Sequence, residues 1–339
     1  NPNLNPSPSP NPSPNPDPNP HPVPSPHQDI IELDDIFDVL DNWDDFEKQP
    51  ELKHLEAEIK GEIHAEIEGV DFSKDLPDEV IAEVRRAWLE NLVVFFRDQH
   101  ITPAQQLAAA KRFGEPVEYP FVQGLPDFPV ITPIVKLPDE TINFGGLWHT
   151  DTTYQPRPPM ATMLYGLELP PYGGDTLFAN LYLAYETLSD GLKETLEPLV
   201  GVFASNKKRV SDTRAARVAD SPKEDVKIPK VAEHRVIRVH PETGRKCLYV
   251  SLAHTTQFKG WSVEESEPLL NYLFEHQTRP EFTCRFRWEP GSIALWDNRC
   301  ALHNPINDYH GHKRVLHRIT FAGDAPVGAV DARPKANAA

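Results

Sequence analysis

A histidine and an aspartate lie two residues apart in the segment WHTD, as His149 and Asp151. On a strand or at its extended end, side chains two apart project to the same face, so these two could share one metal ion. A second histidine, His303, follows five residues after Asn298, where IALWDN reads as a strand that runs into a turn. Two histidines and one carboxylate leave other metal positions open, as in non-haem iron(II) oxygenases. The pattern therefore predicts a metal site at His149, Asp151 and His303.

Two arginines lie four residues apart in the segment KRVLHRITF. Strand alternation places Arg314, Leu316 and Arg318 on one face, with the two arginine backbones about 13 Å apart. If that face points inward, both guanidinium groups need anionic partners. If the segment is an edge strand, both are solvated instead.

The elements that position these residues are strands with a few helices. Pro77 and Asp78 suit the start of a helix that continues to about Asn91. The run LVVFFRD that follows has the apolar, β-prone character of a buried central strand. Beyond Val130, short apolar stretches between Gly, Pro and Asp favour an all-β sandwich or barrel with external helices. Further helices are predicted from Pro103, capped by Thr102, to Phe113, from Ala184 to Leu199 and from Val263 to Gln277.

Composition divides the chain into four segments. Residues 1–27 contain 12 of the 36 prolines, in near alternation with Asn, Ser, Asp and His, and are predicted to be a disordered, extended tail. Residues 28–51 predict an acidic amphipathic helix, which either docks on its own domain or binds a partner. Residues 52–330 predict one catalytic domain, and residues 331–339 a disordered C-terminal tail.

Charge and cysteine usage limit the classes of partner and compartment. The formal net charge of −17 argues against nucleic acid or an anionic membrane as a partner. No apolar run approaches the roughly 18 residues of a membrane span. The three widely spaced cysteines, Cys247, Cys284 and Cys300, fit reduced thiols better than a disulfide framework. We therefore expect a cytoplasmic protein whose partner is a small molecule.

From about Glu58 to Val327 the chain resembles the taurine dioxygenase and 2,4-dichlorophenoxyacetate dioxygenase family. The matching segments, in order, are LVVFFRDQHIT, KRFGE, WHTDTTY, PPMATMLYGLELPPYGGDTLFAN, HPETGRKCLYV, FTCRFRWEPGSIALWDNRCALH and KRVLHRITFAGD. The resemblance implies a mainly β fold with flanking helices around a double-stranded β-helix core, which is a jelly-roll of cupin-like form. It also implies dependence on Fe(II), with 2-oxoglutarate and O2 as co-substrates.

Carried over by position, the resemblance implies a role for six residues. His149, Asp151 and His303 become the metal-binding triad. Arg314 would bind the distal carboxylate of 2-oxoglutarate with help from Thr176, because a planar guanidinium grips a carboxylate through two hydrogen bonds. Arg318 would meet the anionic head of the primary substrate. The implied reaction is hydroxylation of a small anionic organic substrate, with succinate and CO2 as products.

The residues that recognise taurine itself do not carry over well. Their positions align with Pro116 and Gly145 and fall near His254, so taurine is not the expected substrate. Arg318 still indicates an anion such as a carboxylate, sulfonate, sulfate ester or phosphonate. Tyr119, Asn143 and His254 are further substrate-binding candidates, with ordinary packing or solvent exposure as the alternative for each.

Several alternatives stay open from the sequence. The same iron site could perform a desaturation or another oxidation in a biosynthetic pathway. A jelly-roll that has lost catalysis could serve as a binding or scaffold module. A zinc hydrolase is disfavoured because no HExxH motif is present. The basic cluster of Lys207, Lys208 and Arg209 belongs either to a mobile lid or to a solvated run of charges. Members of the family often form oligomers, so a homo-oligomer is expected, either a dimer or a tetramer.

Overall fold

The computed structural model describes residues 57–59, 63–213 and 228–331. The predicted N-terminal tail and acidic helix, and nearly all of the C-terminal tail, lie outside these residues. The described residues form α1 (Asp78–Asn91), α2 (Pro103–Lys111), α3 (Leu181–Glu186), α4 (Asp190–Leu196), α5 (Lys208–Asp212) and α6 (Val263–His276), with a 3-10 turn at Pro280–Phe282. None of the helices in the described part of the chain is long and apolar enough to cross a membrane.

The strands supply most of the regular structure around the site. They are β1 (Ala57–Ile59), β2 (His64–Ile67), β3 (Val93–Phe96), β4 (Pro116–Val117), β5 (Thr132–Lys136), β6 (Ala161–Glu168), β7 (Thr176–Asn180), β8 (Val200–Ala204), β9 (Val231–Arg235), β10 (Ile237–Val239), β11 (Lys246–Leu248), β12 (Thr255–Phe258), β13 (Thr283–Phe286), β14 (Ile293–Asp297), β15 (Ala301–Pro305), β16 (Arg314–Phe321) and β17 (Val327–Gly328).

A large sheet has the strand order β1-β2-β3-β14-β6-β16-β4, with β5 also paired to β16. Because side chains alternate along a strand, each central strand contributes to two cores. In β14, Leu295 packs with α1 and α2 on one face, whereas Trp296 packs on the other face. That second face is covered by the sheet β13-β7-β15, through residues such as Phe178 and Leu302. The predicted mainly β, jelly-roll fold with flanking helices is confirmed.

The local predictions hold with one correction. Helix α1 begins after Pro77, and α2 begins with Pro103 and a capping box between Thr102 and Gln105. The single helix predicted from Ala184 to Leu199 is wrong, because the chain forms α3 and α4 there. The side chain of Ser189 accepts a hydrogen bond from the Leu192 amide and starts a new helix. A serine that caps a helix end competes with continuation through it.

A buried ion cluster holds the turn between β14 and β15. Both carboxylate oxygens of Asp297 accept hydrogen bonds from Arg299, at 2.8 and 2.6 Å, and Nε2 of His240 donates to the same carboxylate at 3.0 Å. Arg299 also donates to Glu242, which links this turn to the loop between β10 and β11. Burial alone would raise the pKa of Asp297, but Arg299 and His240 hold that pKa far below its usual range. The cluster therefore fixes the start of β15, the strand that carries His303.

We expect Asp297→Asn to lower the free energy of unfolding by about 3–5 kcal/mol at neutral pH, because Arg299 is left buried without its charged partner. The pKa of Asp297 is lowered in the folded protein, so the loss is largest above the ordinary carboxyl pKa and shrinks as the pH falls below it. Urea unfolding at several pH values measures the effect. Arg86→Ala, which removes an exposed ion pair with Glu83, is the control and should cost less than about 1 kcal/mol.

Candidate metal centre

Two backbone hydrogen bonds bring the predicted metal ligands together. The amide of His149 donates to the carbonyl of His303 at 3.0 Å, and the amide of His303 donates back at 2.8 Å. His303 lies in β15, while Asp151 follows His149 in a turn. Oδ1 of Asp151 is 3.6 Å from Nε2 of His149 and 4.0 Å from Nε2 of His303. Residues more than 150 positions apart in the chain thus form one buried cluster.

The donor set of this cluster fits a divalent first-row metal ion. Two imidazoles and one carboxylate are the ligand types that non-haem iron(II) sites use. Ligand atoms that share an ion through bonds of about 2.0–2.2 Å cannot be more than about 4.4 Å apart. The two distances from Asp151, 3.6 and 4.0 Å, satisfy that limit.

The protonation of the imidazoles also suits metal binding. Nδ1 of His149 is 2.6 Å from the carbonyl of Leu147, and a carbonyl can only accept, so Nδ1 carries a proton and Nε2 is the nitrogen that faces the metal position. Burial lowers the pKa of His303 well below its usual range, and nearby His149 and Arg318 lower it further, against the opposing effect of Asp151. A neutral imidazole is the form that binds a metal.

A chain of buried hydrogen bonds orients the carboxylate of Asp151. The hydroxyl of Thr162, in β6, donates to Oδ2 of Asp151 at 2.6 Å. The side-chain amide of Asn298 donates to that hydroxyl at 2.9 Å, and its oxygen accepts from Nε1 of Trp296. Because the Thr162 oxygen accepts from Asn298, its own proton is free to go to Asp151. Oδ2 is therefore held, and Oδ1 faces the two histidines.

Charge keeps Asp151 ionised. Burial by itself would raise the pKa of Asp151, but the guanidinium of Arg318, with Nη1 3.7 Å from Oδ1, holds that pKa well below its usual range. An ionised carboxylate is the form that a metal requires.

Arg314 and Thr176 lie in a pocket that also contains His149 and His303. Arg314 is buried, and its Nε and Nη2 have no hydrogen-bond partner among the described residues. Burial lowers the pKa of Arg314, which Tyr309 and Asp175 only partly offset. Gly174, at φ +71°, lets the chain pass close by, since a Cβ there would be 3.3 Å from Nε of Arg314.

Arg318 lies in the same pocket and also borders a neighbouring one lined with aromatic side chains. Its guanidinium lies 4.0 Å from the centre of the Tyr119 ring and 6.0 Å from that of Phe144. Nε and Nη2 of Arg318 have no hydrogen-bond partner in the described part of the chain. In β16 both arginines therefore point inward, and the alternative of an edge strand with solvated arginines does not apply.

The remaining substrate-binding candidates lie in different surroundings. Tyr119 and His254 line the aromatic pocket, and Nδ1 of His254 is 3.0 Å from the Thr153 hydroxyl. Asn143 is outside both pockets: its amide donates to the carbonyl of Ile306 and accepts from the Tyr309 hydroxyl, so it joins two loops. A larger cavity of about 290 Å³, beside α2, contains none of the candidate residues.

A second cluster, His240, Asp297 and Cys300, has the residue types of a metal site, but His240 and Asp297 already use their ligand atoms in hydrogen bonds. Nδ1 of His240 accepts from backbone amides at residues 242 and 243, and its Nε2 donates to Asp297. Arg299 occupies both oxygens of Asp297. This cluster is the structural ion network at the start of β15.

Sequence reasoning missed three residues of the site region: Thr162, Asn298 and Lys136. Thr162 and Asn298 act through Asp151, and no local spacing marks them, since 136 residues separate the two. Lys136 is buried in β5 directly opposite Arg314. A lysine within the β-prone run ITPIVK was the one available signal.

We expect Thr162→Val to weaken divalent metal binding about 10- to 100-fold, because the carboxylate of Asp151 loses the hydrogen bond that orients it. Thr162→Ser keeps the hydroxyl and should bind close to wild type. Calorimetric titration of the apoprotein with Mn(II) measures both, and circular dichroism checks the fold. Equal affinity for Thr162→Val and wild type would refute the orienting role.

Three comparisons with known proteins agree on one family. Residues 52–320 match the family model described as taurine catabolism dioxygenase TauD, TfdA family. An alkylsulfatase of Acinetobacter baylyi is 37% identical over 282 residues, covering 80% of this chain and 86% of the relative. A 2-oxoglutarate-dependent sulfate ester dioxygenase of Pseudomonas putida is 35% identical, covering 80% and 90%. The crystal structure of a taurine dioxygenase from Burkholderia xenovorans matches with a TM-score of 0.67 and 39% identity, covering 80% of this chain and 91% of that one. This chain therefore belongs to the TauD/TfdA dioxygenase family.

Proposed function

We propose that this protein is an Fe(II)- and 2-oxoglutarate-dependent dioxygenase that hydroxylates a small anionic organic substrate, with succinate and CO2 as products. The observation that carries the proposal is that two adjoining pockets bring the three metal-ligand side chains together with Arg314 and Arg318, each of which has two guanidinium nitrogens without a hydrogen-bond partner among the described residues. A buried cation without a counter-ion is costly, so such a pocket favours anionic ligands.

Each side chain has one task in this proposal. His149, Asp151 and His303 would hold Fe(II), which supplies the oxidation of the substrate by O2 when 2-oxoglutarate is bound. Arg314 would grip the distal carboxylate of 2-oxoglutarate through its free Nε and Nη2, and the neighbouring hydroxyl of Thr176 would donate to the same carboxylate. Trp288 donates to Thr176 at 3.0 Å, which leaves the proton of that hydroxyl available.

Arg318 would hold the anionic head of the primary substrate between the metal and the aromatic pocket. Its cationic Nη1, 3.7 Å from Asp151, leaves Nε and Nη2 for a second anion. Tyr119, Phe144 and Tyr154 line the pocket beyond it and favour an apolar substrate body. Rings and apolar walls also exclude water, which strengthens the contact of the guanidinium with the anion.

Alkyl sulfate esters are the substrate class that we propose. The names of two relatives, an alkylsulfatase and a sulfate ester dioxygenase, point to this chemistry. Hydroxylation of the carbon bonded to the ester oxygen gives an unstable product that breaks into an aldehyde and sulfate. The balance is one alkyl sulfate, one 2-oxoglutarate and one O2 to one aldehyde, sulfate, succinate and CO2. Sulfonates and aryloxy carboxylates, the other anions that relatives oxidise, are the alternatives within this class.

Two other functions are less favoured. Desaturation would need the same iron site with a different substrate pose, and product analysis separates it from hydroxylation. A non-catalytic jelly-roll would not need the three metal-ligand side chains, and it would still bear the cost of two buried arginines. The cytoplasmic location and the homo-oligomer, dimer or tetramer, stay predictions.

The first test is anaerobic titration of the apoprotein with Fe(II) and 2-oxoglutarate. We expect the weak visible charge-transfer band of an iron 2-oxo acid chelate. His149→Ala should abolish it, and Arg314→Ala should lower the affinity for 2-oxoglutarate about 100-fold, because two charged hydrogen bonds are lost. Arg287→Ala, an exposed arginine, is the control. No band in well-folded wild-type protein would favour the non-catalytic reading.

The substrate class is tested by incubating the iron-loaded enzyme with a medium-chain alkyl sulfate, 2-oxoglutarate and O2. We expect sulfate and succinate in equal amounts. Arg318→Met should raise KM about 10-fold or more, because the anionic head loses its cation, and Arg318→Lys should restore part of the loss. Succinate release with a sulfonate or an aryloxy acid, but not with the sulfate ester, would reject this assignment while keeping the reaction type.

A further inference from the structure

Lys136, the last residue of β5, lies on the strand face that lines the co-substrate pocket. In the antiparallel pairing of β5 with β16, Lys136 is opposite Arg314 and Ile134 is opposite Leu316. Opposite residues in such a pair project to the same face, with Cβ atoms about 5 Å apart. Ile134, Arg314 and Leu316 all line the pocket. Strand alternation therefore directs the Lys136 side chain to the same side.

The ammonium group of Lys136 has no anionic partner among residues 63–213 and 228–331. Only 4% of the residue is exposed, and Nζ has no hydrogen-bond partner among the described residues. Nζ lies 4.3 Å from the centre of the Tyr309 ring, and the guanidinium of Arg314 lies 5.9 Å from the same centre. The ring gives each cation a modest attraction, well below the cost of burying an unpaired charge.

Asp175 and Asp308, two acidic side chains near Gly174 beside Arg314, have other partners. Asp175 accepts a hydrogen bond from Nε of Arg285 at 2.6 Å. Asp308 accepts from the amide of Gly174 at 2.7 Å and lies 3.7 Å from Arg285. Neither forms an ion pair with Lys136 or Arg314 in the described structure. Two buried cations of one strand pair thus share a need for an anion that no acidic side chain of the described residues meets.

We propose that Lys136 is a second cationic ligand for the distal carboxylate of 2-oxoglutarate, beside Arg314. The inference rests on the proposed function and adds a residue to it. A carboxylate has about four lone-pair sites, so it can accept from a guanidinium, an ammonium and the Thr176 hydroxyl together. The task of Lys136 is then selection: it makes the site prefer a 2-oxo acid with a second carboxylate over one without.

The test compares two ligands that chelate iron through the same 2-oxo acid end. One is 2-oxoglutarate, and the other is 2-oxopentanoate, which has the same chain length but no distal carboxylate. Both are titrated into the full-length, Fe(II)-loaded protein under anaerobic conditions, and the visible chelate band reports binding. Lys136→Met should weaken 2-oxoglutarate binding about 10- to 100-fold and leave 2-oxopentanoate binding within about threefold. Lys313→Met, an exposed lysine next to Arg314 that pairs with Glu168, is the matched control.

The thermal stability of the apoprotein separates ligand binding from a structural role. Lys136→Met should unfold at the same temperature as wild type or higher, because an unpaired buried charge is removed. Equal 2-oxoglutarate affinity in Lys136→Met and wild type would overturn the inference, as would an equal loss for both ligands or a lower unfolding temperature. If wild-type protein shows no chelate band with 2-oxoglutarate, the proposed function itself fails, and this inference fails with it.

Discussion

The paired backbone hydrogen bonds between His149 and His303 are the constraint on which the site depends. They join the WHTD segment to β15, so the two imidazoles lie close together without needing a metal ion. The Asp297 cluster holds the start of β15 from one side. The hydrogen bonds from Asn298 to Thr162 and from Thr162 to Asp151 hold the carboxylate of Asp151. A set of ligands fixed in this way needs little reorganisation to bind an ion, and that is the physical meaning of a preorganised site.

Charge is distributed unevenly in this protein. The chain has a formal net charge of −17, yet Arg314, Arg318 and Lys136 are all buried near one pocket. Salt screens distant surface charges over about 8–10 Å, whereas a buried charge acts through a medium of low dielectric constant. In the proposed function, these local cations therefore attract the anionic ligands more strongly than the distant acidic surface repels them.

The two arginines of β16 lie in different surroundings. Arg314 is next to Thr176 and opposite Lys136, whereas Arg318 is next to Asp151 and the aromatic rings. The dicarboxylate co-substrate and the substrate with an apolar body would thus meet different surroundings on one strand face. The alternation of the strand places both arginines inward, and the residue between them, Leu316, joins the inner core.

The sequence by itself predicted a mainly β fold, His149 and Asp151 as ligands of one metal ion, and the shared face of Arg314 and Arg318. These follow from residue types and from short periods, such as the two-residue spacing of His149 and Asp151, which are local properties of a chain. Only the tertiary structure decided which side-chain atoms have a hydrogen-bond partner and which do not. The break between α3 and α4, the hydrogen bond from Thr162 to Asp151 and the pairing of Lys136 with Arg314 all depend on partners that strand pairing or helix capping supplies. Hydrogen-bond satisfaction and burial are properties of the closed structure, so no spacing along the chain could have shown that Arg314, Arg318 and Lys136 are buried with nitrogen atoms that have no hydrogen-bond partner among the described residues.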